Sequence, residues 1–430
     1  MLILPLMNFY NQTCLKYLVV LLLLFKANEL AAQIAGCTDP FANNYNAAAN
    51  SNNGSCTYSP TSYMPAIKAD SISSVLLESS GVQIINGDLW SFNDRNAEAV
   101  IYKIDSLSNK ILQTVYLTGA TNVDWEDIAF DGTYIYIGDF GNNFDGARVD
   151  LKIYKFPVAS VPPHTTNPIV NIPAEVIEVI NFIYADQPQP PAIEILNHSR
   201  YDCEAMLVDN GKIHLFTKNW IDNNTTHYII NSISGGNYLL NALETLATNY
   251  LVTAADKAVA QNIIALLGYQ NSGAGNHFIH LLSNYSGGLL FNGNKRKIDL
   301  PNATIMGQGE GITFRDDSTG YITNEKFNYS FFGFNFTVIQ KLRAFNIGPF
   351  VSNFSTNYIF TGNGNWSVAA NWKNNQLPPA ILPANSQIII NPASGGECIV
   401  DIPYTINAGN QFIVQPLKKL TVKGNLLIVK

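Results

Sequence analysis

From about residue 66 onward, apolar and polar positions alternate in short runs separated by turn formers, a period that predicts strands rather than helices. "ESSGVQIINGDLWSFND" (78–94) turns at Asn86-Gly87, "WEDIAFDGTYIYIGD" (125–139) at Asp131-Gly132, and "CEAMLVDNGKIHLFTKN" (203–219) at Asn210-Gly211. Asn-Gly and Asp-Gly between alternating runs mark β-hairpins whose two central residues need positive φ. Two weaker copies follow, "ADKAVAQNIIALLGY" (255–269) and "GEGITFRDDSTGYITNE" (309–325). An acid leads each unit: Glu78, Glu126, Glu204, Asp256 and Glu310, at separations of 48, 78, 52 and 54. A period near 50, with one long Pro-rich insertion over roughly 157–195, is the mark of a repeat architecture.

Each repeat is longer than one hairpin, because further strands such as "AVIYKID" (99–105), "LKIYKFP" (151–157) and "THYIINSI" (226–233) follow the leading pair. Two hairpins per repeat make a four-stranded blade, so 66–346 is expected to form an all-β, six-bladed β-propeller at about 45 residues per blade. Five blades are legible. The sixth is expected from 157–200 or from the joined chain ends. A β-sandwich is the competing fold, but it gives no reason for a repeated acidic leader.

The chain ends have a different texture. "YLVVLLLLF" (17–25), preceded by Lys16 and followed by "ELAAQ", reads as a signal peptide over 1–32 with cleavage near Ala32–Gln33, Met7 being the better start. The apolar core is too short to span a bilayer, and no other run approaches the required length. "IAGC" (34–37) allows a competing lipoprotein reading at Cys37, but Lys26 and Glu29 separate it from the apolar core. Cys37 has a better use within "GCTDPFANNYNAAANSNNGSC" (36–56), where it and Cys56 are expected to pair as a disulfide closing a small module over 33–60. Closing a loop of about 20 residues contributes on the order of 3 kcal/mol. Cys203 and Cys398 lack metal-ligand spacing and read as buried thiols. Over 355–430, "GNGNWSVAANWKNNQLPP" and the short apolar runs after it read as a C-terminal β-solenoid-like module that stops on an open strand, as in a truncated product.

Composition narrows the class. The 430-residue chain is 47% hydrophobic and 13% charged, with 21 tyrosines and 23 phenylalanines. Few charges and many aromatic β-formers suit an extracellular all-β protein. The net charge of −7 argues against nucleic acid, and "NKRK" (294–297) is a single cluster beside a turn. The expected state is a monomer, secreted or held at the outer cell surface, with no transmembrane span in the mature chain. Its expected partner is an extracellular protein, a glycan or a small-molecule ligand.

The candidate chemistry is acidic. Strands rise about 3.3 Å per residue, so Glu126 and Asp139 return to the same end of their hairpin. If the first strand of each unit is innermost, Glu78, Glu126, Glu204, Asp256 and Glu310 crowd one channel mouth as an axial ring. Asp94, Asp139 and Glu325 then form an outer ring. Crowded carboxylates repel unless neutralised, which points to a bound cation, Ca²⁺ first. The competing structural reading has each acid accept backbone N–H groups from the next blade, with Lys218, Lys257 and Arg315 pairing locally. No nucleophile elbow or phosphate loop is present, and His277 and His280, three apart on a strand, point to opposite faces. Trp366 and Trp372 read as packing residues.

Three resemblances add to this. The 36–56 segment resembles Gly-Cys-Thr-Asp-Pro … Gly-Ser-Cys modules of exported Bacteroidetes proteins. There Asp39, Asn43, Asn44 and Asn46 could offer oxygens to calcium, although Asn52 and Asn53 replace the usual acidic pair. The 362–379 segment resembles Gly-Asn-Trp … Asn-Trp … Pro modules of Bacteroidetes surface proteins. The motifs over 70–345 resemble the phytase-like or esterase-like exported propellers, and through them the gluconolactonase-type group. That resemblance implies the fold and, as an alternative to a binding and interaction scaffold, a metal-dependent hydrolase of phosphoesterase or lactonase type.

Overall fold

A computed structural model describes residues 33–429 apart from 107, 260, 332, 352–356, 374–376, 379–381, 383–385 and 407–409. The expected signal peptide lies outside the described residues. The one described α-helix is the four-residue turn Ala303–Met306, and the rest is strand and loop with a few three-residue 3-10 turns. No helix among the described residues is long and apolar enough to cross a membrane.

Five sheets radiate from a common axis, each beginning with the leading strand of one repeat: Ser79–Ile85, Trp125–Phe130, Cys203–Asp209, Leu251–Ala258 and Gln308–Phe314. Each leading strand is innermost and pairs antiparallel with the next strand in sequence. Successive inner strands lie side by side, and the fifth returns to the first. Five hydrophobic clusters fill the five blade–blade interfaces. One example, between blades one and two, contains Phe92, Ile101, Trp125 and Ile137. The last interface joins Val82 and Leu89 of blade one to Tyr321 and Leu342 of blade five.

The propeller therefore has five blades, not the expected six. The insertion after residue 157 does not build a blade. Ile169–Ile172 adds in parallel to the edge of blade one, and Glu178–Tyr184 is the fourth strand of blade two. The chain ends do combine, but within blade five. Ala66–Ala69 pairs with Leu342–Asn346 and supplies that blade's outermost strand, locking the ring shut. With repeats longer than 50 residues, 280 residues are used up by five units.

The hairpin turns follow from their residues. Asn86 and Gly87 have φ of 52° and 88°, and Asn210 and Gly211 have 49° and 72°, as a two-residue hairpin turn requires. At Asp131-Gly132 only Gly132 is left-handed, at 94°. There Asp131 Oδ1 accepts from the backbone N–H groups of Thr133 (2.8 Å) and Tyr134 (2.7 Å), so a side-chain-capped three-residue turn replaces the expected one.

Cys37 and Cys56 form a disulfide, a bond that fits an oxidising compartment. The segment they staple rests on blade four, where Asn52 Nδ2 donates to Asn294 Oδ1 (2.9 Å) and the Arg296 guanidinium lies over the rings of Phe41 and Tyr58. Within it, Asn44 and Asn46 are engaged in local hydrogen bonds, and Asp39 accepts from the Tyr58 hydroxyl and the Phe41 amide. Beyond residue 356 the strands pair in parallel: Ile388 lies beside Phe412, Cys398 beside Leu420 and Thr405 beside Leu427. Trp366 and Trp372 are buried there, edge to face at 4.7 Å. Cys203 and Cys398 are buried free thiols.

Candidate cation site at the channel mouth

Every inner strand carries a one-residue β-bulge at the same place. The register slips between Ser79 and Val82, Trp125 and Asp127, Cys203 and Ala205, Val252 and Ala254, and Gly309 and Gly311. The bulged positions are thus Ser80, Glu126, Glu204, Thr253 and Glu310. A bulge re-aims a side chain that would otherwise follow the strand's alternation. Three of the five re-aimed residues are glutamates, and all three are buried.

Glu126, Glu204 and Glu310 therefore share one structural position. Glu78 and Asp256 do not. Glu78 precedes the bulge by two residues and is exposed, while Asp256 follows it by three. Asp256 sits toward the hairpin-turn end of the channel. There it lines a 640 Å³ cavity with Gln83, Asp209 and Lys257, and its Oδ2 accepts the Phe314 N–H of blade five at 2.7 Å. Asp127, one residue past the bulge, accepts the Met206 N–H of blade three, also at 2.7 Å. The two readings of the acids are thus separated by register: Asp127 and Asp256 fasten blades, and the bulged glutamates face the mouth.

A second tier comes from the residue that follows each second strand's bulge partner: Asp94, Phe140, Lys218, Tyr269 and Glu325. Asp94 and Glu325 occupy it, whereas Asp139 is one step off. Asp139 Oδ1 accepts from Arg148 Nη2 (2.9 Å) and from the Asp124 N–H (3.1 Å), with Lys152 Nζ at 3.9 Å. It is a fully enclosed anchor for the 140–151 loop. A third tier lies two residues before each bulge and includes Asp124 and Asp202, neither singled out from the sequence. The signal for both was the repeated Asp-x-Glu of "DWE" and "DCE".

The tightest convergence is Asp94, Asp124 and Glu126, which offer carboxylate oxygens lying within 4.8 Å of one another. Asp124 is 4% exposed, and its Oδ1 has no hydrogen-bond partner among the described residues. Such a buried, unsatisfied oxygen is costly unless something completes it. Gly141 makes the convergence possible, since a Cβ there would stand 2.1 Å from Glu126 Oε1 and 2.5 Å from Asp124 Oδ2. Two cations are close by: Arg95 directs Nη1 to Asn143 Oδ1 at 2.8 Å, and Arg148 directs Nη1 to the Gly141 carbonyl at 2.8 Å.

Across the mouth, Lys218 Nζ lies 3.1 Å from Glu204 Oε1 and over the rings of Trp220 and Tyr269. The Tyr269 hydroxyl donates to Glu310 Oε1 (3.2 Å), which also accepts from Gln308 Nε2 (2.7 Å). Burial alone would lower the Lys218 pKa, but Glu204 and Glu310 hold it well above the ordinary value.

Seven carboxylates, Asp94, Asp124, Glu126, Asp202, Glu204, Glu310 and Glu325, share this mouth, and all are pushed up from their ordinary values. Burial is the leading cause in each. Asp94 rises to about 6 and Asp124 to about 8, the latter also through Asp94 and Asp202. Glu126 is raised well above its ordinary value, with Glu204 and Asp94 as the next causes after burial. Once ionised, carboxylates this close would repel one another, which a divalent cation would relieve. Clustered buried carboxylates, an orphaned oxygen and a glycine cradle fit a hard, oxygen-seeking ion.

The buried imidazoles have other roles. His277 Nε2 accepts the Gly309 N–H at 3.0 Å, and His280 Nδ1 bonds the Tyr250 hydroxyl at 2.7 Å. His214 and His227 bond to each other at 2.8 Å, and His227 Nδ1 reaches Glu244 at 2.9 Å.

No protein-family model matches the sequence, and comparison with curated proteins gives no match. Among solved structures, the chain is similar to the PQQ-bound aldose sugar dehydrogenase of Streptomyces coelicolor, with 10% identity and a TM-score of 0.35 over 64% of this chain and 96% of that one. It is also similar to the hydrazine synthase of Kuenenia stuttgartiensis, with 12% identity and a TM-score of 0.31 over 58% and 74% of the two chains. A protein provisionally described as a 6-phosphogluconolactonase from Bacteroides uniformis gives 11% identity and a TM-score of 0.29 over 59% and 68%. Likenesses this slight carry no chemistry across, and the fold stands on the sheet topology itself.

Proposed function

We propose that this chain is an exported β-propeller that binds a divalent cation, Ca²⁺ first, at the channel mouth and uses it to hold an extracellular ligand. Asp94, Asp124 and Glu126 would hold the ion, with Glu204 and Glu310 as the neighbouring acids that set the local charge. The observation that carries this reading is the unpartnered, buried Asp124 Oδ1 within a cluster of three carboxylates. In this reading the 33–60 segment is a disulfide module, and 355–430 is a β-solenoid-like module whose parallel strands step by 22 to 34 residues.

The test is calorimetric titration of the chelator-treated full chain with Ca²⁺, beside Asp124→Asn and Glu126→Gln. One saturable site, lost in both variants while both remain folded, supports the proposal. A wild-type protein that takes up no Ca²⁺, Mg²⁺ or Mn²⁺ ends it.

A second reading, a metal-dependent hydrolase, is favoured by Lys218 and the Tyr269–Glu310 pair facing the same mouth. They would supply an electrophile and a proton-carrying group beside the ion. Calcium-dependent turnover of a generic phosphomonoester or lactone, abolished by Lys218→Met without loss of ion binding, would select it.

A further inference from the structure

The cavity at the hairpin-turn end of the channel plays no part in the mouth site. The fourth residue past the bulge of every inner strand lines it: Ile84, Phe130, Val208, Lys257 and Phe314. Four of these five equivalent positions are apolar, and Lys257 is the exception. At 640 Å³ the cavity has the size of a small-molecule site. Between it and the mouth lie the preceding residues of the same strands, among them Asp127 with the Met206 N–H that it accepts. The two ends are separate compartments.

Lys257 brings a charge into this ring with only part of its hydrogen bonding met. Its side chain is 7% exposed, and Nζ lies 2.7 Å from Asp209 Oδ2, the one acceptor it meets among the described residues. An ammonium has three N–H donors, so two remain for the cavity. Asp209 is in a matching state. Its Oδ2 takes Lys257 and Asn210 Nδ2 (3.0 Å), while its Oδ1 accepts no hydrogen bond from the described residues. Asp256, on the same wall, is already engaged by the Phe314 N–H. An ammonium this enclosed is costly unless further acceptors complete it.

We propose that this cavity binds a free α-amino acid with a large apolar side chain. The ligand carboxylate takes the remaining donors of Lys257, its ammonium donates to Asp209 Oδ1, and its side chain lies among Ile84, Phe130, Val208 and Phe314. Charge selects the zwitterion over either of its halves. A simple anion satisfies Lys257 but meets Asp209 and Asp256 as like charges. A simple cation suits Asp209 and leaves the Lys257 donors unspent. An uncharged apolar molecule satisfies neither. A zwitterion completes both ends of the Lys257–Asp209 pair and adds no net charge. This site does not depend on the cation reading above.

The test is calorimetric titration of the full chain, in chelator, with L-phenylalanine and L-leucine. N-acetyl-L-phenylalanine, 3-phenylpropionate and phenethylamine serve as analogues that keep one charge or the other. The expected result is saturable binding of both amino acids, with each analogue weaker by at least about tenfold. Asp209→Asn should abolish the preference for L-phenylalanine over its N-acetyl form, and Lys257→Met the preference over phenethylamine. The analogue series needs no variant, so misfolding of either substitution leaves it decisive. Absence of saturable binding by both amino acids overturns the proposal. Binding of phenethylamine or 3-phenylpropionate as tight as that of L-phenylalanine overturns it too.

Discussion

Gly141 stands where a side chain would collide with Glu126: a Cβ on Gly141 would lie 2.1 Å from Glu126 Oε1. Backbone N–H groups of Phe140 and Gly141 both donate to the Asp124 carbonyl at 3.1 Å, so the chain cannot swing away without giving up those bonds. Gly141→Ala should therefore push Glu126 and Asp124 apart. The expected outcome is at least a tenfold rise in the Ca²⁺ dissociation constant, about 1.4 kcal/mol, with far-ultraviolet circular dichroism unchanged. Calorimetry on the variant reads this directly, and an unaltered Ca²⁺ affinity would show that the cradle is irrelevant to the ion.

Asp127 and Asp256 are acids of a different kind. Each accepts a backbone N–H from a neighbouring blade, Met206 in one case and Phe314 in the other, and each is held above its ordinary pKa mainly by burial. Removing the acceptor strands a buried donor, at a cost of about 1–3 kcal/mol. Asp256→Ala should lower the melting temperature by roughly 2–8 °C and leave Ca²⁺ titration as it is. Loss of Ca²⁺ binding with unchanged stability would move Asp256 back into the ion site.

This division between Asp127 and Glu126, adjacent in sequence, also marks where sequence reading stops. Alternation and Asn-Gly turns carry the strands and the repeat. They do not carry the bulge. A bulge shifts the alternation by one residue within the first residues of each leading strand, too close to the strand's start to be read from the apolar pattern, so "TAAD" and "ESSG" offered Asp256 and Glu78 as leaders. The structural equivalents are Thr253 and Ser80. Asp94 and Glu325 were legible because they follow their turns at a fixed distance. Asp139 stands at the same distance from its turn glycine as Asp94, but the turn there is one residue longer, which sets it one step short on its strand, where Arg148 claims it. Blade number was out of reach for another reason: Glu178–Tyr184 and Ile169–Ile172 read like a blade of their own, and only their pairing partners assign them to blades one and two.

The mouth carboxylates give a pH signature that depends on the ion. Asp124 rises to about 8 and Asp94 to about 6 in the folded chain, against an unfolded value near 4. A carboxyl raised on folding contributes stability that is fully present below the unfolded pKa and is lost as pH rises through the folded one. In chelator, this part of the stability should therefore fall between about pH 4 and pH 8. Saturating Ca²⁺ displaces the protons and should flatten the fall. Urea midpoints at pH 5.5 and 8, each in chelator and in Ca²⁺, measure both. If Ca²⁺ raises the midpoint equally at the two values, or not at all, the mouth carboxylates are not its ligands.

The histidines oppose that trend from the acid side. His214 and His280 are lowered to about 3 and His277 to about 4, burial being the leading cause in all three. An imidazole buried in its neutral form contributes stability above its unfolded pKa, near 6.5, that is lost as pH falls. Each should contribute about 2 kcal/mol of acid sensitivity by pH 5. Stability in chelator is then highest between the two slopes, and the variants separate them. His280→Phe preserves the stacking on Tyr250, whose ring lies 5.5 Å away, and removes the titrating group. It should reduce the loss between pH 7 and pH 5 by about 2 kcal/mol, apart from a constant cost for the unpaired Tyr250 hydroxyl. Asp124→Asn should remove a fall that runs from about pH 4 to pH 8, read most cleanly above pH 7 where the histidines no longer contribute. Denaturation curves at four pH values for the three proteins give both slopes, and an acid limb that is the same in His280→Phe and wild type would assign the acid sensitivity elsewhere.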